Sequence, residues 1–308
     1  MKIKQAIEKY LEEETVTKSL VKYTLYQKKH CLANFFKGLE EVETENLSFD
    51  HLKPVMIEWK ARISLQSYSN ALHTVKPFTD WLFVNHFVDV DPLWKLLYPR
   101  VPRRLPSYLG TKKEILQIAS FCDPTTPNGI RDRAMILVCY SGALRSQELL
   151  DLTLKRYLRN RQRPALHVVG IKQENDRYVL LMPEAHAALE RYLVGPRDVI
   201  LAGRKDTGWL FIGGNGGKVS KTVWQRTVKS LGAAANVPLV KLTPHVFRHS
   251  MATQMANAKD SNFFRIMAYL GHRSPMSTMT YVHMIDRDTE KFFANTFGEE
   301  AVETEERR

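Results

Sequence analysis

The sequence is poor in cysteine, because only Cys31, Cys122 and Cys139 among its 308 residues are of this type. They lie far apart in apolar surroundings, which is typical of reduced core cysteines rather than of disulfide pairs. The first ten residues are polar and charged, without the apolar segment of a signal peptide, and no uncharged apolar run approaches the ~18 residues of a membrane span. We therefore expect a soluble, cytoplasmic protein with no membrane partner.

Signatures of a nucleotide or metal site are also missing. The glycine-rich segment 213–218 fails as a phosphate-binding loop, since Ile212 replaces its first glycine and Val219 its Ser or Thr, so a glycine turn is predicted. His245 and His249 have a spacing that could suit zinc, but no Glu follows the first histidine and no third ligand is evident. We expect no cofactor and no metal.

Acidic residues are outnumbered, and the formal net charge is +12 at pH 7. Residues 299–308 hold five Glu and two Arg and form an acidic tail of net charge −3, which leaves +15 on the rest. A polyanion such as nucleic acid is the partner that this excess favours, although mild basicity can also serve solubility alone.

Four amphipathic helices are predicted before about residue 98, and together they would form a small helical domain. Apolar residues recur in each at three-and-four spacing, in stripes that start at Ile3, Cys31, Phe49 and Tyr68. Pro54 is acceptable only in the first turn of the third helix. Ser67 is predicted to cap the fourth, and Pro77 to kink or divide it.

A linker over residues 99–107 follows, rich in proline and basic residues. Its arginines, Arg100, Arg103 and Arg104, are expected to contact DNA phosphates. A second acid-free basic run, 155–163, adds Lys155, Arg156 and Arg159 as expected DNA contacts. For the linker 99–107, the alternative is that its basic residues are only solvated and do not contact DNA.

The second region, 108–298, combines helices with a hairpin. Helices are predicted at Lys112–Phe121, Ile130–Ser141, Pro183–Leu193 and Lys221–Ala235, and strands at Ala165–Val169 and Arg177–Leu181 around a polar turn. The fold class expected is therefore mainly α with a small β-sheet.

Breaking a phosphodiester without a metal needs a nucleophile, positive donors for the phosphoryl group and an acid for the leaving oxygen. His245 and Arg248 lie one helical turn apart in a Thr-Pro-His-Val-Phe-Arg-His segment, and Leu-Gly-His272 follows. Tyr281 comes nine residues later. Upstream, Arg145 stands in an otherwise apolar segment with Glu148 three residues on.

In these motifs the sequence resembles the tyrosine recombinase and integrase family over about residues 107–297, and a simple Xer-like recombinase in particular. The resemblance implies a core-binding domain over 1–98 and a catalytic domain over 108–298, forming a C-shaped clamp around DNA. Two departures stand out. Two residues rather than one separate Gly142 from Arg145, and the hairpin lysine, Lys172, is shifted by one position.

The resemblance also implies the catalytic roles. Tyr281 would attack the phosphorus and form a 3′-phosphotyrosine, and Arg145 and Arg248 would hold the non-bridging oxygens. Lys172 would protonate the leaving 5′ oxygen, and His245 would assist proton transfer at Tyr281.

Three further residues complete the expected site. His272 would donate a hydrogen bond to the phosphate, and Glu148 and His249 would orient Arg145 and the turn that carries His245. A plain structural ion pair between Glu148 and Arg145 is the simpler alternative.

The expected partner is duplex DNA with short inverted-repeat core sites, bound by a monomer that becomes a homotetramer in the synaptic complex. In related recombinases the segment equivalent to 286–297 docks on a neighbouring protomer, although it could instead pack on its own domain. Two other functions remain open: relaxation of DNA by a type IB topoisomerase, and DNA binding by an accessory protein without activity.

Overall fold

The computed structural model describes residues 1–18, 22–102, 111–160, 162–170, 176–235, 243–258 and 261–285. The chain divides into two compact units, Met1–Arg104 and Leu105–Arg308. It is mostly helical with one small antiparallel sheet, which confirms the predicted fold class. None of the helices in the described ranges is long and apolar enough to span a membrane.

The first unit contains the four predicted helices: α1 (Ile3–Lys18), α2 (Lys22–Phe35), α3 (Phe49–Arg62) and α4 (Leu65–Val84). Their apolar stripes meet in one core, where Leu32, Phe35 and Phe78 have no exposed surface. Burial of these large side chains supplies the main stabilising free energy of the unit.

Two local predictions in this unit were wrong, and a third was wrong in part. The cap of α4 is Ser64, whose hydroxyl accepts a hydrogen bond from the Ser67 backbone at 3.2 Å, so Ser67 lies inside the helix. Pro54 is the sixth residue of α3 rather than part of its first turn. Pro77 does not divide α4, and Val75 and Phe78, on either side of the proline, belong to the same core; a kink at this residue stays a prediction.

The second unit is built around a central helix. Its helices are α5 (Lys112–Ser120), α6 (Pro127–Ser141), α7 (Ser146–Leu150), α8 (Pro183–Leu193), α9 (Pro196–Leu201), α10 (Lys221–Ala234), α11 (Pro244–Ala256), α12 (Phe263–Leu270) and α13 (Pro275–Ile285). Every residue of α6 from Ala134 to Ser141 is buried. The helices α5, α8, α9 and α11 pack against it.

A three-stranded antiparallel sheet lies in the same unit, in the order β1 (Tyr157–Leu158), β2 (Ala165–Val168) and β3 (Arg177–Leu180). The register pairs Ala165 with Leu180 and Val168 with Arg177. The two predicted strands are confirmed, but β1 was missed, because two residues inside a basic run give no period-two pattern.

A small buried cluster fixes the chain segments that carry the motifs. The cluster joins Tyr281 from α13 with Ala143 after α6, Ala252 and Ala256 from α11, and Ile266 and Leu270 from α12. The turns between these elements need left-handed backbone, with φ of +47° at Ala143 and +67° at Gly271. The cluster thereby brings the turn after α6 together with the helices α11, α12 and α13.

Candidate active site

A buried carboxylate, Glu148, organises the site. Its side chain has no exposed surface. Its oxygens accept both terminal nitrogens of Arg177, at 2.9 and 2.8 Å, and the backbone N–H and Nη1 of Arg145, at 2.8 and 3.0 Å. Glu148 is the third residue of α7, so its carboxylate folds back on the helix N-terminus as in a capping box.

The charges around Glu148 keep it ionised. Burial opposes ionisation, but the hydrogen bonds and charge of Arg177, then Arg145 and Arg248, outweigh it and lower the pKa of Glu148. Three guanidinium groups therefore surround one carboxylate. The cluster carries two net positive charges, which makes it a site for an anion.

The two arginines predicted to bind phosphate differ in their environment. Arg145 keeps a quarter of its side chain exposed, whereas only 5% of the Arg248 side chain is exposed. Arg248 donates through Nη1 to the carbonyl of Ala143 at 2.8 Å and through Nη2 to that of Leu270 at 2.7 Å. Burial and the neighbouring Arg145 lower the pKa of Arg248 to about 10, so it remains a cation at neutral pH.

The predicted nucleophile, Tyr281, is buried and hydrogen-bonded to a histidine. Its hydroxyl lies 2.5 Å from Nδ1 of His249 on α11. Burial raises the pKa of Tyr281, while the charges of Arg248 and Arg145 act in the opposite direction. The hydroxyl of Tyr281 is therefore close enough to both arginines for their charges to favour its ionised form.

The histidines of the site are neutral at pH 7. Burial, with His245 and Arg248 nearby, lowers the pKa of His249 to about 4. Burial and three arginines, led by Arg248, lower the pKa of His272 to about 4 as well, and its Nδ1 lies 2.8 Å from the hydroxyl of Thr278. The pKa of His245, in the first turn of α11, is lowered by desolvation and by the charges of Arg248 and Arg145.

The structure thus brings most of the predicted site into one place. Arg145, Glu148 and Arg248 form one charged cluster, and Arg248 and Arg145 influence the pKa values of Tyr281 and His272. Lys172 lies outside the described residues. Within the described ranges, no group of three or more His, Cys, Asp or Glu could hold a metal ion.

The predicted DNA contacts lie in different settings. Arg100 and Lys155 are exposed. Arg156 donates to the backbone carbonyl of Asp151 at 3.1 Å, and Arg159 forms an ion pair with Glu190. Two further predicted contacts in the linker, Arg103 and Arg104, lie outside the described residues.

One residue of the site, Arg177, was missed in the sequence. It is the first residue of β3, and its guanidinium is buried against Glu148 and the carbonyl of Tyr269. A charged residue at an inward-facing strand position was the available signal, since such a residue needs a buried partner.

The sequence as a whole matches known proteins. The model of the phage integrase family matches residues 110–287. Tyrosine recombinase XerD of Ralstonia nicotianae is 30% identical over 262 residues, which cover 85% of this chain and 80% of the relative. XerC 2 of the same organism is 31% identical, but the match covers only 63% of its length and 73% of this chain. XerC of Herpetosiphon aurantiacus is 28% identical over 92% of this chain and 91% of the relative.

Solved structures share the fold. A lambda integrase(75–356) dimer bound to a COC′ core site aligns with a TM-score of 0.73 at 14% identity, over 91% of this chain and 95% of that one. The XerH recombinase in its pre-cleavage complex with difH aligns at 0.71 and 17% identity, over 94% and 83%. The family model matches more than half of this chain, and the Xer relatives reach 30% identity. The chain therefore belongs to the phage integrase family of tyrosine recombinases.

Proposed function

We propose that this protein is a site-specific DNA recombinase that cuts and rejoins strands through a 3′-phosphotyrosine intermediate and a Holliday junction. One observation carries the proposal. A buried tyrosine hydroxyl is hydrogen-bonded to a neutral histidine, and the charges of Arg248 and Arg145 act to lower the pKa of this tyrosine. Both arginines belong to a cluster with two excess positive charges. This combination suits attack of a phenol oxygen on a phosphate.

In the proposed cleavage step, Oη of Tyr281 forms a bond to phosphorus while the bond to the 5′ oxygen breaks. The phenol proton passes to a neutral imidazole, because an unperturbed tyrosine pKa of about 10 makes unaided attack slow. His249 contacts the hydroxyl, and His245 is the candidate that the family resemblance supplies. The departing 5′ oxygen takes a proton from Lys172, a role that the resemblance alone supports.

The two arginines would stabilise the phosphoryl group as charge develops on its non-bridging oxygens. Arg145 is partly exposed and can reach an incoming phosphate. Two of the five N–H donors of Arg248 bind backbone carbonyls, which fix the plane of its guanidinium. His272 would add a hydrogen bond to the phosphate. Rejoining reverses the step, with a 5′-hydroxyl from the partner strand as nucleophile.

The natural partner would be duplex DNA with short inverted-repeat core sites, met in the cytoplasm. The positive net charge supports DNA binding, as do the DNA complexes of lambda integrase and XerH. We assign DNA binding to 1–98 and to the linker 99–107, and catalysis to 108–298, with 299–308 as an acidic tail. A monomer in solution would assemble into a homotetramer on DNA.

The segment that would link the protomers, 286–297, lies outside the described residues. Its role can be tested by deletion. Removing residues 288–308 should leave single-site binding intact and abolish cooperative binding and recombination, whereas removing only 299–308 should do much less. Normal cooperativity after the longer deletion, or unfolding of the protein, would contradict docking between protomers.

The proposed chemistry is tested with Tyr281→Phe and nicked duplexes that carry randomised inverted repeats. The nick lets the cleaved fragment diffuse away, so a covalent protein–DNA adduct accumulates and is seen on a denaturing gel. Tyr281→Phe should bind DNA normally and form no adduct, while Tyr178→Phe, which removes an exposed phenol oxygen from β3, should behave like the wild type. Adduct formation by Tyr281→Phe would refute the assignment. Relaxation of plasmids that lack a site would instead indicate topoisomerase activity.

A further inference from the structure

The guanidinium of Arg177 connects three elements of the catalytic unit. From the first position of β3, it grips both oxygens of Glu148 on α7 and donates through Nε to the carbonyl of Tyr269 on α12, at 2.9 Å. Only 6% of its side chain is exposed, so these contacts are shielded from water. Such a bidentate arginine–carboxylate pair fixes the orientation of both groups.

Each contact of Arg177 adjoins an arginine of the proposed catalytic site. Glu148 also binds the backbone N–H and the Nη1 of Arg145. Tyr269 directly precedes Leu270, whose carbonyl accepts Nη2 of Arg248 at 2.7 Å. One side chain therefore holds the carboxylate that orients Arg145 and the helix end that orients Arg248.

The glycine of the Leu-Gly-His motif makes room for this arrangement. Gly271 has φ of +67°, and a Cβ placed there would lie 2.9 Å from Nη1 and 3.2 Å from Cδ of Arg177. The Arg177 side chain thus packs against the backbone that leads to His272. Any side chain at position 271 would push it away.

The distances around Glu148 show what Arg177 prevents. The terminal nitrogens of Arg177 lie within 2.9 Å of the two carboxylate oxygens, whereas the nearest nitrogen of Arg248 lies 3.8 Å from the carboxylate. Without Arg177, the buried carboxylate would lose two charge-assisted hydrogen bonds, and Arg248, the next guanidinium beyond the already bonded Arg145, lies close enough to replace them. A tighter pair between Glu148 and Arg248 would draw that guanidinium away from the phosphate.

We propose that Arg177 is a positioning residue: by occupying Glu148 and the Tyr269 carbonyl, it orients Arg145 and leaves Arg248 to the scissile phosphate. The inference rests on the proposed function. The proposal adds a buried residue, Arg177, that would act through its contacts within the protein, and it assigns Gly271 a second role besides ending α12.

The chain offers a matched control for this arginine. Arg197 is also buried, with 5% of its side chain exposed, and grips both oxygens of Asp206 at 2.8 and 2.7 Å and a backbone carbonyl, that of Trp209, at 2.8 Å. It belongs to α9, and none of these partners is in the proposed site. Arg177→Gln and Arg197→Gln therefore remove similar interactions from different places.

The experiment measures single-turnover adduct formation on a nicked duplex that the wild type cleaves, together with DNA affinity and melting temperature. We expect both variants to melt earlier. Only Arg177→Gln should cleave slowly per folded molecule, by about 10²-fold, the loss that small misplacements of catalytic groups cause. Its DNA affinity should stay near that of the wild type, and Arg197→Gln should cleave near the wild-type rate.

A neutral substrate separates positioning from simple loss of structure. A methylphosphonate at the scissile position removes the negative charge that the arginines stabilise, so misplacement of Arg145 and Arg248 should matter less. The defect of Arg177→Gln relative to the wild type should shrink at least tenfold on this substrate. The ratio for Arg197→Gln should not change.

Equal defects of Arg177→Gln on both substrates, or a defect that matches its unfolded fraction, would overturn the proposal. If Arg177→Gln does not fold, Arg177→Lys keeps the charge without the fork, and wild-type cleavage by that variant would overturn it too. Failure of the proposed function looks different, since the wild type would then form no adduct through Tyr281.

Discussion

The imidazole of His249 lies 2.5 Å, from Nδ1 to Oη, from the hydroxyl of Tyr281. Burial, with His245 and Arg248 nearby, lowers its pKa to about 4, so the ring is neutral at pH 7 and can offer an unprotonated nitrogen to the phenol hydroxyl. Burial raises the pKa of Tyr281, which increases the need for such an acceptor. The contact favours a more direct role for His249 than the supporting one expected from the sequence.

Replacing His249 should therefore slow the attack of Tyr281. We expect His249→Ala to reduce the rate of adduct formation by about 10²-fold or more, the usual contribution of general acid–base catalysis. The loss should diminish as the pH rises above neutrality but stays below the pKa of about 10 of Arg248, because a larger fraction of the tyrosine then ionises unaided while Arg248 keeps its charge. The measurement is single-turnover cleavage as a function of pH.

A similar pair elsewhere in the unit serves as control, because Nδ1 of His186 lies 2.7 Å from the hydroxyl of Tyr157. His186→Ala should cleave like the wild type. If His249→Ala also cleaves like the wild type while His245→Ala is slow, the proton acceptor is His245.

Regular periodicity made much of the fold predictable. The bounds predicted for α8, Pro183 to Leu193, match the structure, and both strands of the hairpin end within one residue of their predicted positions. These segments follow local rules: an apolar face at helical spacing, and β-rich runs around a polar turn. The local rule for proline was a poorer guide, since Pro54 lies beyond the first turn of α3 and Pro77 does not divide α4.

The site was predictable only in part, because its residues were found through motifs and not through contacts. Arg145, Arg248 and Tyr281 stand in recognisable patterns. Arg177 contacts Glu148 across 29 positions of the chain and is visible only when β3 and α7 are placed together. The contact between His249 and Tyr281 likewise depends on how α13 packs on α11.

The histidines should make the stability of the second unit depend on pH. The pKa values of His249 and His272 are about 4 in the folded protein, below the ordinary 6.5. Between these values the unfolded chain binds more protons than the native one. The free energy of unfolding should therefore fall as the pH drops from about 6.5 toward 4, and these groups should have no further effect above that window.

Urea unfolding at a series of pH values checks this expectation. The double variant His249→Asn, His272→Asn should lose less stability between pH 6.5 and 5 than the wild type does. Equal slopes for the two proteins in that window would contradict the proposed burial of neutral histidines.

Gly271→Ala should disturb both stability and cleavage. A left-handed backbone at a non-glycine residue costs about 1–3 kcal/mol, and the new Cβ would also strike Arg177. Gly203 has a similar φ of +74° with open space around it, so Gly203→Ala reports the backbone cost alone. We expect a larger loss of unfolding free energy for Gly271→Ala, and slow cleavage only for that variant.

A double-mutant cycle isolates the contact with Arg177. In the Arg177→Gln background, Gly271→Ala should cost less than in the wild type, since the guanidinium is gone. Additive losses would mean that Gly271 and Arg177 are independent.

The basic run before β2 should contribute to DNA binding unequally along its length. Lys155 is exposed, whereas Arg159 is held in an ion pair with Glu190. A cation that meets a phosphate releases a counterion, and each lost contact lowers the slope of log affinity against log salt by about one unit. Lys155→Gln should therefore reduce that slope by about one, and Arg159→Gln by less.

A third variant tests the ion pair from its acidic side. Glu190→Gln frees Arg159 and keeps a hydrogen-bond acceptor for Tyr157, so it should steepen the slope. Salt titrations on random duplex DNA suffice, because phosphate contacts do not read sequence. An unchanged slope for Lys155→Gln would place this run away from the DNA, whereas equal losses for Lys155→Gln and Arg159→Gln would mean that the ion pair opens on binding.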